Sequence, residues 1–119
     1  MAETAIITVR PESGCLVAVI EVPRISEGPT LDAVQAKLAE LTTADPAGKI
    51  LIDFRQVELM SSATLAVLVR FYRDLVERGG RIALCGLQQP VRKTFELTRL
   101  DQLFRIEPDI PAGLARLTE

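Results

Sequence analysis

The sequence predicts one α/β domain in which a mainly parallel, mixed β-sheet opens with an N-terminal hairpin and is covered by about four helices. Three observations carry this expectation. Short apolar runs of strand length recur along the chain, as in CLVAVIEV at 15–22 and KILIDF at 49–54. Between them lie longer segments whose apolar residues return every three or four positions, the period of a helix with one buried face. Strands alternating with helices require crossover connections, and crossovers leave the joined strands parallel. The 119 residues, 48% of them hydrophobic, suit one core, so 1–119 is read as a single domain. No internal repeat or low-complexity segment interrupts it.

The opening hairpin is expected from AIITVR at 5–10 and CLVAVIEV at 15–22, separated by the turn-like PESG. Pro29 suits the first turn of a helix, and Leu31, Val34, Leu38 and Leu41 follow at helical spacing. TADPAG then breaks the pattern, and KILIDF reads as a strand covered on both faces. The longest helical pattern spans 62–78, with Leu65, Leu68, Val69, Tyr72, Leu75 and Val76 on one stripe. Gly79-Gly80 stops it, because glycine adopts the left-handed conformation that ends helices. RIALCG at 81–86 is the next buried strand. Pro90 begins a further helix carrying Val91, Phe95 and Leu97. LFRIE at 103–107 supplies a last strand, and a short helix runs through Ile110, Leu114 and Leu117.

Composition excludes several classes of function. Lys and Arg total 14 against 16 Asp and Glu, and a net charge of −2 gives no bulk attraction to nucleic acid or an anionic membrane. Every apolar stretch is interrupted well before the roughly 18–20 residues of a spanning helix. The opening MAETAIITVR lacks the basic start and apolar run of a signal peptide, so a soluble cytoplasmic protein is expected. The two cysteines, Cys15 and Cys85, sit inside apolar segments and outside any CxxC or Cys/His cluster, as buried free thiols do. There is no histidine, which removes the commonest general base and the commonest nitrogen ligand for metals. No catalytic residue, cofactor or metal is expected.

Open α/β sheets carry their functional sites where strands run out into helix N-termini. One such junction, RQVELMSSAT at 55–64, brings the hydroxyls of Ser61, Ser62 and Thr64 to the start of the longest helix. A serine there commonly caps the helix by accepting a hydrogen bond from an unpaired N–H. Ser61 is the better placed cap, which leaves Ser62 in the first turn with its hydroxyl turned to solvent. Ser62 then reads either as a second polar residue of the helix start or as a phosphorylation site. A phosphoryl group brings about −1.5 to −2 charge, which a helix N-terminus tolerates. A partner packed on that surface would have to bury the same dianion. The junction CGLQQPVRK at 85–93 lacks the repeated glycines of a phosphate-binding loop. Arg92, Lys93, Arg99 and Arg105 are interspersed with Glu96, Asp101 and Glu107, as on a solvated mixed face. Asp53 is expected to bond backbone or to cap at its strand end.

The segment KILIDFRQVELMSSATLAVLVRFYRDLVERGGRIALCGLQQPVRKTFELTRLDQLFRI resembles the STAS domains of bacterial anti-sigma factor antagonists. The shared pattern is a buried strand, a loop ending in Asp/Ser-Ser-Ser/Ala-Gly-Leu, a long helix closing in Gly-Gly, a strand, and a helix ending in a Glu-Leu-Thr-x-Leu-like phrase before Leu-Phe. The resemblance implies a STAS-type domain that is a protein-binding switch and not an enzyme. In the family, the serine after the Asp/Ser position is phosphorylated by an anti-sigma factor that is also a serine kinase. The dephosphorylated protein binds that kinase and releases its sigma factor, and a phosphatase can reset the switch. Position by position, Ser61 takes the Asp/Ser slot, Ser62 the phosphorylated serine, Ala63 the small residue and Thr64 the glycine. The resemblance thus implies phosphorylation at Ser62 and partner binding through Ser61, Ser62 and Thr64. Val22-Pro23-Arg24-Ile25 stands where many members carry Gly-x-Leu-Asp. The alternative is a constitutive STAS interaction module, in a signalling scaffold or a lipid-transport ABC system, in which Ser62 is not modified. A serine hydrolase would need a base beside Ser62, and none of Lys37, Lys49 and Lys93 is near it in sequence.

Overall fold

The computed structural model describes residues 6–44 and 48–119. Its elements are β1 (Ile7–Glu12), β2 (Cys15–Ile20), β3 (Arg24–Ile25), α1 (Pro29–Ala44), β4 (Lys49–Asp53), β5 (Leu59–Met60), α2 (Ser62–Glu77), β6 (Arg81–Cys85), α3 (Gln89–Leu97), a 3-10 turn (Leu100–Gln102), β7 (Arg105–Glu107) and α4 (Ile110–Leu117). A five-stranded sheet has the order β1-β2-β4-β6-β7, antiparallel only between β1 and β2. This is the mixed, mainly parallel sheet with a leading hairpin and four helices that the alternation of patterns predicts. The central residues of the TADPAG break, 45–47, lie outside the described residues. Among the described residues no helix is long and apolar enough to cross a membrane.

The hairpin reverses later than PESG suggests. Pro11 pairs with Leu16 and Glu12 with Cys15, so the turn is only Ser13-Gly14, with φ of 53° and 78°. Two successive positive-φ residues give the turn whose twist matches that of the flanking strands. Proline is tolerated in β1 because this strand is a sheet edge.

Alternation along the central strands sorts side chains onto two faces. Ala18, Ile20, Ile50, Ile52, Ile82 and Leu84 face the cluster shared with Leu38 of α1, Leu68 and Phe71 of α2 and Phe95 of α3. Cys15, Val17, Val19, Leu51, Ala83 and Cys85 form a second cluster under Leu114 and Leu117 of α4. The sheet is therefore covered on both sides, which is why its strands read as continuous apolar runs. Helix α4 approaches closely because a Cβ at Gly113 would come within 2.5 Å of Leu51 Cδ1.

Two apolar residues lie off the faces first assigned to them. Helix α2 buries Thr64, Leu65, Leu68, Phe71 and Leu75, whereas Val76 is 44% exposed. Val76 is one further step of about 100° around the helix from Leu75, past the edge of the packed stripe. Leu97 is 76% exposed, since the buried face of α3 passes through Val91 and Phe95. The glycine stop is as expected: Gly79 has φ +86°, and Gly80 N–H bonds the carbonyl of Leu75 at 2.9 Å.

Candidate partner-binding site

A second, two-stranded parallel sheet stands beyond the carboxyl ends of the main strands, pairing Arg24 with Leu59 and Ile25 with Met60. Two residues per strand carry no periodicity, so the sequence offered no signal for it. Its ladder continues into the helix that follows. The Ser61 N–H donates to the carbonyl of Ile25 at 2.9 Å, anchoring the start of α2 to β3.

Ser61 is the N-cap of α2, in extended backbone with φ −82° and ψ 164°. Its Oγ accepts from Thr64 N at 3.3 Å and lies 3.1 Å from Thr64 Oγ1. Thr64 Oγ1 donates to the carbonyl of Ile25 at 3.1 Å. A hydroxyl has one proton, so with that of Thr64 given to Ile25, the Ser61 hydroxyl donates to Thr64 and accepts from its amide. The cap expected at Ser61 is therefore fully engaged. Thr64 is completely buried and corrects one expectation: it has no surface for a partner to touch. It braces the serines from beneath, by tying the first turn of α2 to β3.

Ser62 differs from both neighbours. It is the first residue of α2 and is exposed, and among the described residues its hydroxyl makes no hydrogen bond. The amides of Ser62 and Ala63 also have no acceptor among the described residues. An accessible nucleophilic oxygen therefore sits beside unpaired donors at the positive end of a helix dipole.

The loop leading to Ser61 is held by a buried charge. Asp53, fully buried at the end of β4, accepts from Arg55 N at 3.0 Å and from Arg55 Nε at 2.8 Å, with Arg55 Nη2 2.8 Å away. The backbone bond expected of Asp53 is thus joined by an ion pair with the residue two positions on. The hydrogen bond and charge of Asp53 raise the Arg55 pKa above its ordinary value. Gln88 Nε2 donates to the Arg55 carbonyl at 2.8 Å, bracing the loop against the start of α3. Gly86, at φ +71°, lies under this arginine, and a Cβ there would come within 2.5 Å of Arg55 Cγ. Cys85 is buried beside the clamp, and burial first, then the Asp53 charge, pushes its thiol up to about 12.

Arg24 and Leu59, opposite one another in the small ladder, are both exposed in front of the helix start, Leu59 at 51%. Among the described residues Arg24 makes no ion pair. Residues 92, 93, 99 and 105, the basic group of the sequence, fall on α3, the segment after it and β7. Among the described residues no group of three or more Cys, Asp or Glu gathers as a metal site would require.

Comparison with known proteins agrees with this architecture. A curated relative, the anti-sigma F factor antagonist of Paenibacillus polymyxa, is 26% identical over 90 residues, covering 76% of this chain and 74% of its own. The anti-sigma-factor antagonist (STAS) domain protein of Planctomyces limnophilus superposes with a TM-score of 0.84 at 24% identity, over 95% of this chain and 98% of that one. The Bacillus cell fate determinant SpoIIAA in its phosphorylated form superposes with a TM-score of 0.65 at 15% identity, over 87% of this chain and 92% of that one. The two structures share the fold. Residues 27–112, which include the serine junction and the Asp53 clamp, match the STAS domain, and the chain belongs to that family.

Proposed function

We propose that this protein is an anti-sigma factor antagonist that binds a serine-kinase anti-sigma factor in the cytoplasm and is switched off when Ser62 is phosphorylated. The observation that carries this reading is the division of labour between adjacent serines. Ser61 is locked into the cap, and Ser62 is exposed with a hydroxyl that makes no hydrogen bond among the described residues. The likeness to proteins described as anti-sigma factor antagonists supports it.

The physical logic is that the domain and its partner respond oppositely to one charge. At the start of α2 a phosphoryl group meets the helix dipole and the unpaired amides, an arrangement worth about 0.3–1 kcal/mol in its favour. The fold therefore tolerates modification. A partner seated on Ser61, Ser62 and the neighbouring Arg24–Leu59 ladder would have to bury an unpaired dianion, which costs several kcal/mol unless cations meet it. Thr64 serves from below, tying the first turn of α2 to β3. A phosphatase restores the binding form.

Site-resolved mass spectrometry of protein isolated from its native cells with phosphatases inhibited tests this. Phosphate on Ser62, in a fraction that changes with growth condition, is the expected result. An unmodified Ser62 across conditions, in protein that co-purifies with a stable partner, would instead identify a constitutive interaction module.

A further inference from the structure

A second surface lies at the opposite end of α2. Strand β7 pairs with β6 only from Ala83 to Cys85, so Arg81 and Ile82 extend past it without a strand neighbour on that side. The gap is a shallow depression whose lining includes Tyr72, Val76, Arg81, Ile82, Leu103 and Arg105. Val76 and Leu103, exposed at 44% and 37%, are two of the four large hydrophobic side chains exposed among the described residues, and they meet here. Apolar side chains left in water at one place, within a concave surface, mark an interaction site more than singly scattered ones do.

Charge points to the occupant. Arg81 and Arg105 line the depression, and no described carboxylate side chain does. The Arg81 guanidinium is fixed by bonds to the main-chain oxygens of Leu117 and Glu119, each at 3.0 Å. Arg105 is exposed and, among the described residues, makes no ion pair. On the adjoining rim, Glu107 is already 3.6 Å from Arg116. Arg105 also borders the adjoining depression lined by Asp101 and Glu107, but among the described residues neither pairs with it, so its guanidinium is open to an incoming carboxylate.

We propose that this depression docks an extended, acidic segment of a protein partner, with apolar side chains seated on Val76 and Leu103 and a carboxylate on Arg105. Ser62 and Val76 are fourteen positions apart on one helix, about 21 Å along its axis. That distance exceeds the screening length of roughly 8 Å at physiological salt. Docking here is therefore independent of the charge state at Ser62, so the protein could stay attached to one partner while it releases another.

The test is a titration of the isotope-labelled full chain, followed by amide NMR, with a synthetic peptide alternating Glu with Leu and Phe, and with the same peptide carrying Lys for Glu. The expected result is shifts confined to Tyr72, Val76, Ile82, Leu103 and Arg105 with the acidic peptide, at a Kd below about 1 mM. Arg105→Glu and Val76→Glu each weaken binding by about tenfold or more, while Ser62→Asp leaves it unchanged. Both substituted groove residues are exposed, and the dispersion of each variant's spectrum reports its fold directly. Absent shifts, an equal response to the basic peptide, or shifts centred on Ser62 would overturn the proposal. So would groove signals that move when the protein alone is diluted, since the occupant would then be a second copy.

Discussion

The two ends of helix α2 solve opposite problems with the same backbone. At its start every hydroxyl but one is committed: Ser61 and Thr64 bond each other and β3, and only Ser62 is left to solvent. At its end the helix closes on Gly79 and Gly80 and leaves an apolar side chain, Val76, uncovered beside Leu103. A polar site with one accessible oxygen responds to a change of charge. The depression at the other end, where Val76 and Leu103 meet two arginines, lies twenty or so ångströms from that charge, beyond the distance at which salt leaves it felt. One helix can thus carry a switched surface and an unswitched one.

The sharpest way to break this comparison is to place permanent charge at Ser62. Ser62→Asp weakens binding to the cognate kinase-type partner by at least about 100-fold, measured by calorimetry, because a carboxylate must then be buried in the interface. Ser62→Ala keeps the binding and loses the regulation. Equal affinity of Ser62→Asp and the unmodified protein would sink the switch reading and leave both ends of α2 unswitched.

Removing the clamp beneath the serine loop has the next largest effect. Arg55→Ala leaves the buried Asp53 carboxylate with only the backbone N–H of its former partner, and lowers the unfolding free energy by about 1–3 kcal/mol in urea titration. An unchanged midpoint would mean that Asp53 does not hold the loop.

Cys85, beside that clamp, makes stability depend on alkaline pH. Its folded thiol titrates at about 12, while in the unfolded chain it takes the ordinary value near 8.5. Above the ordinary value the unfolded chain releases a proton that the folded protein keeps, so rising pH favours unfolding. Stability declines by up to about 1.4 kcal/mol per pH unit between the two values. Urea midpoints at pH 8 and pH 10, compared with those of Cys85→Ala, measure the slope attributable to this thiol.

The smallest effect distinguishes the adjacent serines. Ser61→Ala removes the cap and lowers stability by about 1 kcal/mol, whereas Ser62→Ala changes it by less than about 0.5 kcal/mol. Equal losses in thermal unfolding would mean that the two hydroxyls share the cap.

Much of this architecture was legible because it is local. The expected helix over 62–78 differs from α2 by one residue at its end, since Gly79 supplies the left-handed stop. The strands at 49–54 and 81–86 were visible as apolar runs because both faces of the sheet are covered. The cap at Ser61 was readable from its place before an apolar-periodic segment. Val76 and Leu97 were misplaced for a related reason, since hydrophobicity alone does not tell the middle of a helical stripe from its border. Phe71, absent from the predicted stripe, is at the centre of the packed face.

What the amino-acid order determined by itself is therefore the succession of the main strands and helices, the cap and the exposure of Ser62, because each follows from neighbours within a turn or two of chain, and with that alternation the crossovers that make the strands parallel. The tertiary structure alone decided the β3–β5 ladder, the burial of Thr64 under Ser61, the brace from Gln88 to the Arg55 carbonyl and the depression beside Val76. Each of these joins segments separated by many residues, and their meeting depends on how the strands are ordered in the sheet and how far each one extends.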